Sequence, residues 1–405
     1  MEKKEALAGL KVLEFTRVIV GPHAGRMLAE HGAEVVIVET IHHPDLLRLA
    51  SPHKDGITGI NRSGYSSKYA LNKYGISLNL ELPEARDVFK RLVLWADVVI
   101  ESQGPGVAAR LGLTYEDLRK LKPDLIMAST SQMGKTGPWA AFKGYGYQSA
   151  AMAGFTALTG YPDRDPPGPY GAYTDVVSPQ FLACAILAAL DYRRRTGEGQ
   201  YIEQSQLEAG VHFLATTVMD YALHGRVARC QGNRDPQAAP HGCYPCRGDD
   251  RWCVIAVFTD EEWRSFCRAT DHSEWEQDPR FATFQARKAN EDELDRLVSE
   301  WTSRYTPHEV MELLQGVGVA AGVVATGRDL HEDAQLKHRK HWRVLDHPEM
   351  GPTAYNSPPF RLSRTPWQPR LPAPLLWQHT VYVLQEILGL SDEEIASLVE
   401  SGALE

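Results

Sequence analysis

The first third of the chain alternates short apolar runs with helical segments, and this alternation strongly constrains the fold. The strand-like runs are Lys11–Phe15, Glu34–Glu39, Gly75–Leu80, Asp97–Glu101 and Leu125–Ser131. Residues 21–32 lie between the first two strand-like runs. They have a proline near their start and a glycine at their end, which is typical of a helix. Because strand–helix–strand units build parallel sheets, we predict an α/β fold with an open, doubly wound, mostly parallel sheet (Rossmann-like).

The length of 405 residues exceeds one ordinary hydrophobic core and predicts two domains. The composition changes after Gly225, where a polar stretch leads into Gly242–Arg247 and Trp252–Phe258, two runs typical of a β-hairpin. Before that point, Gln206–Leu223 reads as one long helix. We predict a large α/β domain over 1–225, a small α+β domain over 226–325, and a return of 326–405 to the large domain, ending in a wrapping tail.

The charge balance bears on the partners. A net charge of -9 argues against a nucleic acid bound through its phosphates, although a few local cations could hold a small phosphorylated ligand. The first residues have no apolar stretch typical of a signal peptide, and the apolar run within Phe181–Leu190 is too short to span a bilayer. We therefore expect no nucleic-acid partner, no membrane partner and a cytoplasmic location.

Six cysteines in a long chain without a signal peptide do not indicate a disulfide framework. Cys243 and Cys246 have the CxxC spacing of a metal or redox site, which is one alternative. A structural zinc site usually takes four ligands in two pairs, and the sequence shows no second pair. We predict thiols in a small β-ribbon and no bound metal.

Two loops resemble phosphate-binding motifs without matching them. Residues 16–21 follow the first strand, at the edge where α/β folds bind ligands, but they lack the GxGxxG pattern of NAD sites. Glu39 could mimic the ribose-binding acid of such sites, which is the alternative interpretation. Gly134–Pro138 lacks the P-loop spacing and is predicted to be a surface turn.

The segment Gly171–Pro179 carries the main candidate for chemistry, Asp175. Glycine and proline bracket a predicted turn, and Phe181–Arg195 after it is predicted to be a long helix. Asp175 should therefore lie near a helix N-terminus, where free N–H groups stabilise a carboxylate anion. An anionic carboxylate can act as a nucleophile, and a helix cap without chemistry is the alternative.

Motifs spread over nearly the whole chain resemble those of the family III CoA-transferases, the group that includes formyl-CoA transferase and carnitine CoA-transferase. The matching segments are Leu7–Thr16, Gly21-Pro22, Gly32–Val36, Asn72-Lys73, Gly104–Gly106 with Arg110–Gly112, Gly134–Pro138, Arg195–Gln200, Asp278–Phe281, and Pro372–Leu376 with His379-Thr380. Their order and spacing together make the resemblance specific.

This resemblance implies that Asp175 is the nucleophile of a CoA-transferase. In the family, this aspartate attacks an acyl-CoA thioester, forms an acyl anhydride and then an aspartyl-CoA thioester, and passes CoA to a carboxylic acid. No ATP is needed because one thioester is exchanged for another. Acyl-CoA and a small carboxylic acid are thus the expected partners, with coenzyme A as a substrate and no permanently bound cofactor.

The resemblance also assigns CoA contacts within the large domain. Residues Arg17, Val18, Ile19 and Val20 would lie along the CoA chain; Lys73, Ser102, Gln103 and Arg110 would lie near the adenine, ribose and phosphates; Lys143 and Tyr145 would line the pantetheine arm. Each has an alternative, because the cations could be solvated and the tyrosine could be a packed aromatic.

Three positions depart from the family pattern at the nucleotide end. Thr40 and Tyr74 stand where an arginine is usual, and Ser102 stands where an asparagine is usual. The glycine-rich flap of the oxalate-using members is also missing near 240–260. The predicted hairpin there is similar to members that use succinyl-CoA with bulkier acceptors, including aromatic acids such as benzylsuccinate.

Two other functions remain as alternatives. An α-methylacyl-CoA racemase shares the fold, but that branch has a histidine where Tyr145 stands. A neutral tyrosine side chain is a poor proton acceptor near pH 7, because the reference pKa of the tyrosine side chain is about 10. The chain could also be one subunit of a heteromeric transferase. The family further implies a homodimer of two interlocked chains, with the heteromer as the other possibility.

Overall fold

In the computed structural model, which describes residues 5–404, the chain divides into two compact units. The first comprises the described chain up to Phe155, then Pro169–Arg226 and the chain from His338 onward. The second comprises Thr156–Gly168 and Val227–Lys337. Each unit contains its own cluster of buried apolar side chains.

A six-stranded parallel sheet forms the centre of the first unit. Its strands are β1 (Lys11–Phe15), β2 (Glu34–Glu39), β3 (Tyr74–Ser77), β4 (Val98–Glu101), β5 (Ile126–Ser131) and β6 (Tyr201–Ser205). They lie in the order β3-β2-β1-β4-β5-β6, and every pairing is parallel. The predicted α/β fold with a doubly wound parallel sheet is confirmed.

The helices follow the strands in the alternation that the sequence predicts for the first third of the chain. In chain order they are α1 (Val20–Ala29), α2 (Leu46–Leu49), α3 (Gly64–Tyr69), α4 (Pro83–Trp95), α5 (Val107–Leu111), α6 (Tyr115–Leu121), α7 (Gly146–Met152), α8 (Phe155–Leu158), α9 (Tyr173–Thr196), α10 (Gln206–Phe213), α11 (Ala215–His224), α12 (Asp260–Ala269), α13 (Glu274–Gln277), α14 (Phe284–Ala289), α15 (Glu291–Thr302), α16 (Pro307–Gln315), α17 (Gly327–Glu332), α18 (Ala334–His338), α19 (Thr380–Tyr382) and α20 (Asp392–Glu400). A 3-10 turn covers Lys54–Gly56, and a π-helical turn covers Val383–Ile387.

The central strands are apolar along their whole length because helices cover both faces of the sheet. Leu13 and Val99 pack on one side, with α4, while Val12 and Ile100 pack on the other, with α1 and α9. Continuous apolar strands are typical of parallel sheets buried on both faces.

The strand order reverses between β1 and β4. In open α/β sheets, ligands bind in the crevice that such a reversal leaves at the carboxyl ends of the strands. The loop after β1 and the loop after β4 both lie at this edge, because the two strands run in parallel with Phe15 opposite Glu101.

The second unit contains a three-stranded antiparallel sheet, β7 (His241–Pro245), β8 (Trp252–Ala256) and β9 (Ala320–Val323). β7 and β8 form the predicted hairpin. Trp263, Phe266 and Trp301 build the aromatic core beside it. All six cysteines are free thiols, and residues 5–404 contain no cluster of three metal-binding side chains. A last hairpin, β10 (Trp342–His347) with β11 (Gly351–Asn356), belongs to the first unit.

Two predicted helix boundaries were wrong. The single helix predicted over 206–223 is two helices, because Leu214 leaves the helical conformation at φ -90° and ψ 22°. The turn predicted to close at Pro179 lies inside α9, which begins at Tyr173. Proline removes one backbone hydrogen bond there, but the helix continues because Leu182 and Ile186 are fully buried against the sheet.

Helix α9 has 24 residues and, by length and composition alone, could cross a membrane. Half of its most apolar window is buried within the structure. Core helices that cover a sheet pass the same test, and α9 contacts β5, β6 and α1 in this way.

Candidate active site

Asp175 lies in the first turn of α9 and is almost completely buried, with 5% of its surface exposed. Its side chain rests against Gly146, the first residue of α7. A Cβ atom added to Gly146 would lie only 2.4 Å from Oδ1 of Asp175 and 2.5 Å from Oδ2. Glycine is therefore required at position 146 for the carboxylate to occupy this place.

Burial raises the pKa of Asp175 to about 7. Within residues 5–404, no side-chain hydrogen bond or ion pair to this carboxylate is found that would offset the loss of water. We expected the helix start to stabilise the anion of Asp175. This expectation was wrong, because the loss of water on burial raises the pKa by more than the helix start lowers it. Near neutral pH the carboxylate is divided between its acid and its anion, and the anion that forms is poorly solvated.

The carboxylate lines a cavity of about 590 Å³ at the carboxyl edge of the sheet, called the Asp175 cavity below. The predicted contacts on its walls are Arg17, Val18, Ile19, Val20, Ser102, Gln103, Lys143 and Tyr145. The structure thus brings eight of the ten predicted CoA contacts together with Asp175.

The loop after β1 reaches this cavity in an unusual conformation. Val18 has φ +64°, a left-handed conformation that is strained for a β-branched residue. Its N–H donates to Oδ2 of Asp45 at 2.7 Å, and the N–H of Arg17 donates to the Ser102 hydroxyl at 2.8 Å. Backbone strain of this kind persists only when neighbouring groups hold it, and it is common at functional sites.

Ser102 has a second role in holding this loop. Its hydroxyl also donates to the carbonyl oxygen of Arg17 at 3.1 Å, so Ser102 holds both backbone polar groups of Arg17. Asp45 also caps α2 by accepting from the N–H of Leu47. Sequence reasoning did not single out Asp45, because an acidic residue in a polar loop carries no periodic signal.

A second cavity of about 590 Å³ lies beside the first and is called the Arg110 cavity. Arg17 and Gln103 line both cavities. Arg110 forms an ion pair with Glu81 at 2.6 Å, and both side chains are exposed. Thr40, one of the departures from the family pattern, lines the same cavity. Both cationic and acidic side chains therefore line the Arg110 cavity.

Lys73 is the predicted contact that the structure places elsewhere. Its side chain is fully buried, pairs with Glu14 at 2.8 Å and donates to the carbonyl oxygen of Pro22 at 2.6 Å. Burial lowers the pKa of Lys73 and raises that of Glu14. Lys73 is absent from the described walls of both cavities, so its contact with a nucleotide stays a prediction.

Lys143 and Tyr145 lie at the exposed rim of the Asp175 cavity. Tyr145 precedes α7 and is 58% exposed, so it is not a packed core aromatic. Its backbone N–H donates to Oε1 of Gln148 at 2.9 Å, which fixes the start of the helix that carries Gly146. Both side chains are therefore open to solvent at the edge of the cavity.

Lys135 is a wall residue that the sequence interpretation missed. The predicted surface turn contains it, but its ammonium pairs with the buried carboxylate of Glu101 at 3.1 Å and donates to the carbonyl oxygen of Gln103 at 3.0 Å. It lines the Asp175 cavity. Its position shortly after β5, at the ligand-binding edge, was the available signal.

Comparisons with known proteins identify the family and the fold. The sequence profile described as "CoA-transferase family III" matches residues 7–380. A succinyl-CoA–D-citramalate CoA-transferase from Chloroflexus aurantiacus is 33% identical over 392 residues, covering 97% of this chain and 96% of the relative. A succinate–glutarate CoA-transferase from Agrobacterium fabrum is 34% identical, covering 95% and 96%.

A solved structure shares the fold over most of its length. The crystal structure of a CAIB/BAIF family protein from Brucella suis superposes with a TM-score of 0.87 at 31% identity. It covers 95% of this chain and all of the solved chain.

The buried pair of Lys73 and Glu14 predicts a stability effect. Lys73→Met should destabilise the protein by about 3–5 kcal/mol, because it leaves Glu14 buried without its cation. The double variant Glu14→Leu/Lys73→Met removes both charges and should regain most of that loss. Urea denaturation measures both, with Lys90→Met, which breaks an exposed pair, as the near-neutral control. A double variant no more stable than the single one would contradict this role.

The raised pKa of Asp175 predicts a pH-dependent stability. An acid whose pKa rises on folding costs stability progressively as pH rises from its unfolded value to its folded value. Asp175→Asn removes this cost, and with a folded pKa of about 7 its advantage over the natural protein should be roughly 2–3 kcal/mol larger at pH 8 than at pH 5.

Denaturation at the two pH values tests this difference. Asp191→Asn is the matched control, because this exposed acid lies on the same helix and its pKa is lowered by Arg194 and Arg195. It should show no gain at high pH. An Asp175→Asn advantage that does not change with pH would show that the carboxyl is not held protonated by burial.

Proposed function

This chain belongs to CoA-transferase family III, and we propose that it transfers CoA from succinyl-CoA to a carboxylic acid. The observation that carries the proposal is the buried, unpaired carboxylate of Asp175 on the wall of a cavity shared with the loop 17–20. Succinyl-CoA is the proposed donor because the Chloroflexus relative is named for it, and the Agrobacterium relative is named for succinate.

In the first half of the proposed reaction, an oxygen of Asp175 attacks the thioester carbonyl. The C–S bond breaks, the CoA thiolate leaves, and a mixed aspartyl–succinyl anhydride forms. The thiolate then attacks the aspartyl carbonyl, so that succinate leaves with the bridging oxygen and an aspartyl-CoA thioester remains. Burial serves both steps, because it keeps the nucleophile poorly solvated and keeps water from the anhydride.

In the second half, the acceptor carboxylate attacks the aspartyl-CoA thioester and again forms an anhydride. The thiolate attacks the acceptor's carbonyl carbon, and the new CoA thioester leaves while the aspartate is restored. Each step exchanges one activated acyl group for another of similar free energy. CoA is therefore a substrate, and no permanently bound cofactor enters the steps.

The two cavities suggest how CoA would lie. We place the pantetheine arm in the Asp175 cavity, along Arg17, Val18, Ile19 and Val20 and under Lys143 and Tyr145. We place the nucleotide end in the Arg110 cavity, near Arg110, Gln103 and Thr40. Gln103 and Arg17 line both cavities and so lie where the two parts of the ligand would join. Ser102 would act by holding the loop.

For the acceptor we propose a small carboxylic acid, with a dicarboxylate as the first candidate. The two relatives are named for citramalate and glutarate, and both of these acids are dicarboxylates. An aromatic or otherwise bulky acid is the second candidate, because Trp139, Phe142 and Tyr145 line the same cavity. A panel of both classes decides between them.

The racemase alternative needs a second base opposite Asp175. Among the described residues that line the cavity, none is a histidine, and Tyr145 occupies the position in question. We therefore favour the transferase. Proton exchange at the α-carbon of a 2-methylacyl-CoA in deuterated water would reveal racemase activity.

We further propose that the protein is an interlocked homodimer in the cytoplasm. Helix α11 has no buried residue in the single chain. Its large apolar side chains Met219, Tyr221 and Leu223 are 53%, 60% and 69% exposed. A helix that leaves several large apolar side chains exposed is a candidate association surface. A heteromer with a homologous chain would cover the same surface.

The covalent intermediate predicts an adduct. Purified protein mixed with succinyl-CoA, without acceptor, should gain a covalent mass that hydroxylamine removes, and the rate of its formation should rise with pH through about 7, as the anion of Asp175 forms. Intact-mass spectrometry measures it. Asp175→Asn is the variant that should form no adduct, and Asp191→Asn on the same helix is the matched control. An adduct that persists in Asp175→Asn would refute the assignment.

The interlocked dimer predicts two observations. Light scattering should give the mass of two 45.1 kDa chains. Isotope-labelled and unlabelled protein, mixed in the native state, should form no mixed dimers in native mass spectrometry until both are unfolded and refolded together. A monomer, or mixed dimers within minutes, would contradict interlocking, and activity that appears only with a second, different chain would support the heteromer.

A further inference from the structure

A third cavity, of about 610 Å³, lies within the first unit and is called the Lys68 cavity. Its walls come from residues 52–54, from α3 with the loop before it, and from the β10–β11 hairpin. None of its described lining residues lines the Asp175 cavity or the Arg110 cavity. Its volume is within the range of roughly 300–1,000 Å³ that is typical of small-molecule sites. The proposed reaction gives it no role.

The charged side chains on the walls of this cavity are all positive. Three lining residues are cations, Lys54, Arg62 and Lys68, and none of the described lining residues is an aspartate or a glutamate. His53 and His341 also line the cavity and add no negative charge. Both lysines are exposed, so a dissolved ligand can reach their side chains. A cleft lined by charges of one sign concentrates ions of the opposite sign.

Lys68 has no counter-charge. Within residues 5–404, no carboxylate pairs with its ammonium group, which lies 5.2 Å from the centre of the Tyr69 ring. A second cation lies behind it, because Nη1 of Arg26 donates to the backbone carbonyl oxygen of Lys68 at 2.6 Å. Partial loss of water and the charge of Arg26 lower the pKa of Lys68. A bound anion would supply the partner that the described chain does not.

The acids near the cavity leave most of this charge uncompensated. Asp55 pairs with Lys54 at 3.2 Å and with Arg62 at 3.6 Å, but its side chain is 59% exposed, and exposed pairs are weak. Oε1 of Glu349 accepts from the side-chain amide of Asn61 at 2.7 Å. The guanidinium of Arg62 donates to the carbonyl oxygens of Glu349 and Lys54, which do not neutralise its charge.

The charge and the apolar part of the walls indicate the class of ligand. A phosphate group carries a charge of about −1.5 to −2 near pH 7, so it matches several cations, whereas one carboxylate matches only one. Lysine and arginine are ordinary protein contacts for phosphate. Trp342, Met350 and Pro352 line the same cavity and offer apolar surface to an organic group.

We propose that the Lys68 cavity binds a phosphorylated small molecule. Its phosphate groups lie at Lys54, Arg62 and Lys68, and its organic group lies against Trp342. This site is separate from the two cavities in which we place CoA, and it does not depend on the transferase function.

Isothermal titration calorimetry of the whole protein with pyrophosphate tests the site. Pyrophosphate should bind, and added salt should weaken the binding. Lys68→Gln should weaken it at least about 10-fold, because this variant removes a charged contact. Lys54→Gln should cause a smaller loss, because Asp55 already pairs with Lys54. Lys68→Arg keeps the charge and should retain the affinity to within about 3-fold.

Three controls make the result specific. Lys120→Gln, the same change at an exposed lysine of α6, should change nothing. Arg110→Gln, in the Arg110 cavity, should leave the Lys68-dependent binding intact. Lys68→Gln should form the adduct with succinyl-CoA at the natural rate, which shows that the variant is folded and separates this test from that of the transferase.

ADP tests the apolar part of the site. The component of ADP binding that Lys68→Gln removes should be at least about 3-fold tighter than that of pyrophosphate, because ADP adds an organic group that can bury apolar surface. An ADP affinity no higher than that of pyrophosphate would contradict the contact with Trp342.

Four results would overturn the proposal. Pyrophosphate could fail to bind at millimolar concentration, or it could bind equally to Lys68→Gln. Citrate that binds as tightly as pyrophosphate would assign the cations to carboxylates instead. Pyrophosphate binding that weakens as the protein is concentrated into dimers would show that a second copy of the chain covers the cavity.

Discussion

The site depends on a carboxylate that is buried without a counter-charge. Asp175 loses water on folding, and Gly146 supplies only a hydrogen atom beside it, so the pKa of the carboxyl rises to about 7. This arrangement costs stability, which the apolar face of α9 against the sheet offsets. In return it places a poorly solvated anion on the wall of the Asp175 cavity, which the proposed anhydride chemistry would use.

A strained loop links this carboxylate to the rest of the proposed ligand site. The reversal of strand order between β1 and β4 opens the crevice, and the left-handed Val18 directs the loop into it. Asp45 and Ser102 hold that conformation through the backbone. Because Arg17 lines both cavities, one short segment shapes two neighbouring cavities.

The sequence predicted the sheet, the hairpin and the place of Asp175 near a helix start, because apolar periodicity and turn residues are local signals. It did not predict that α9 continues through Pro179, since long-range packing decides that. The sequence does not show which charged side chains are buried. Lys73 was therefore interpreted as a ligand contact or a solvated cation, whereas the structure pairs it with Glu14 in the core. Lys135 was missed because a polar residue in a turn gives no sign of the buried carboxylate of Glu101 with which it pairs.

Oxygen transfer tests the central claim most directly. If Asp175 forms the anhydrides, each turnover moves one carboxylate oxygen from the acceptor acid to Asp175. The protein is allowed to turn over an acceptor labelled with ¹⁸O in its carboxylate, and it is then digested and analysed by mass spectrometry. The peptide that contains Asp175 should carry ¹⁸O. Product formation with an unlabelled Asp175 would contradict a covalent role for this residue.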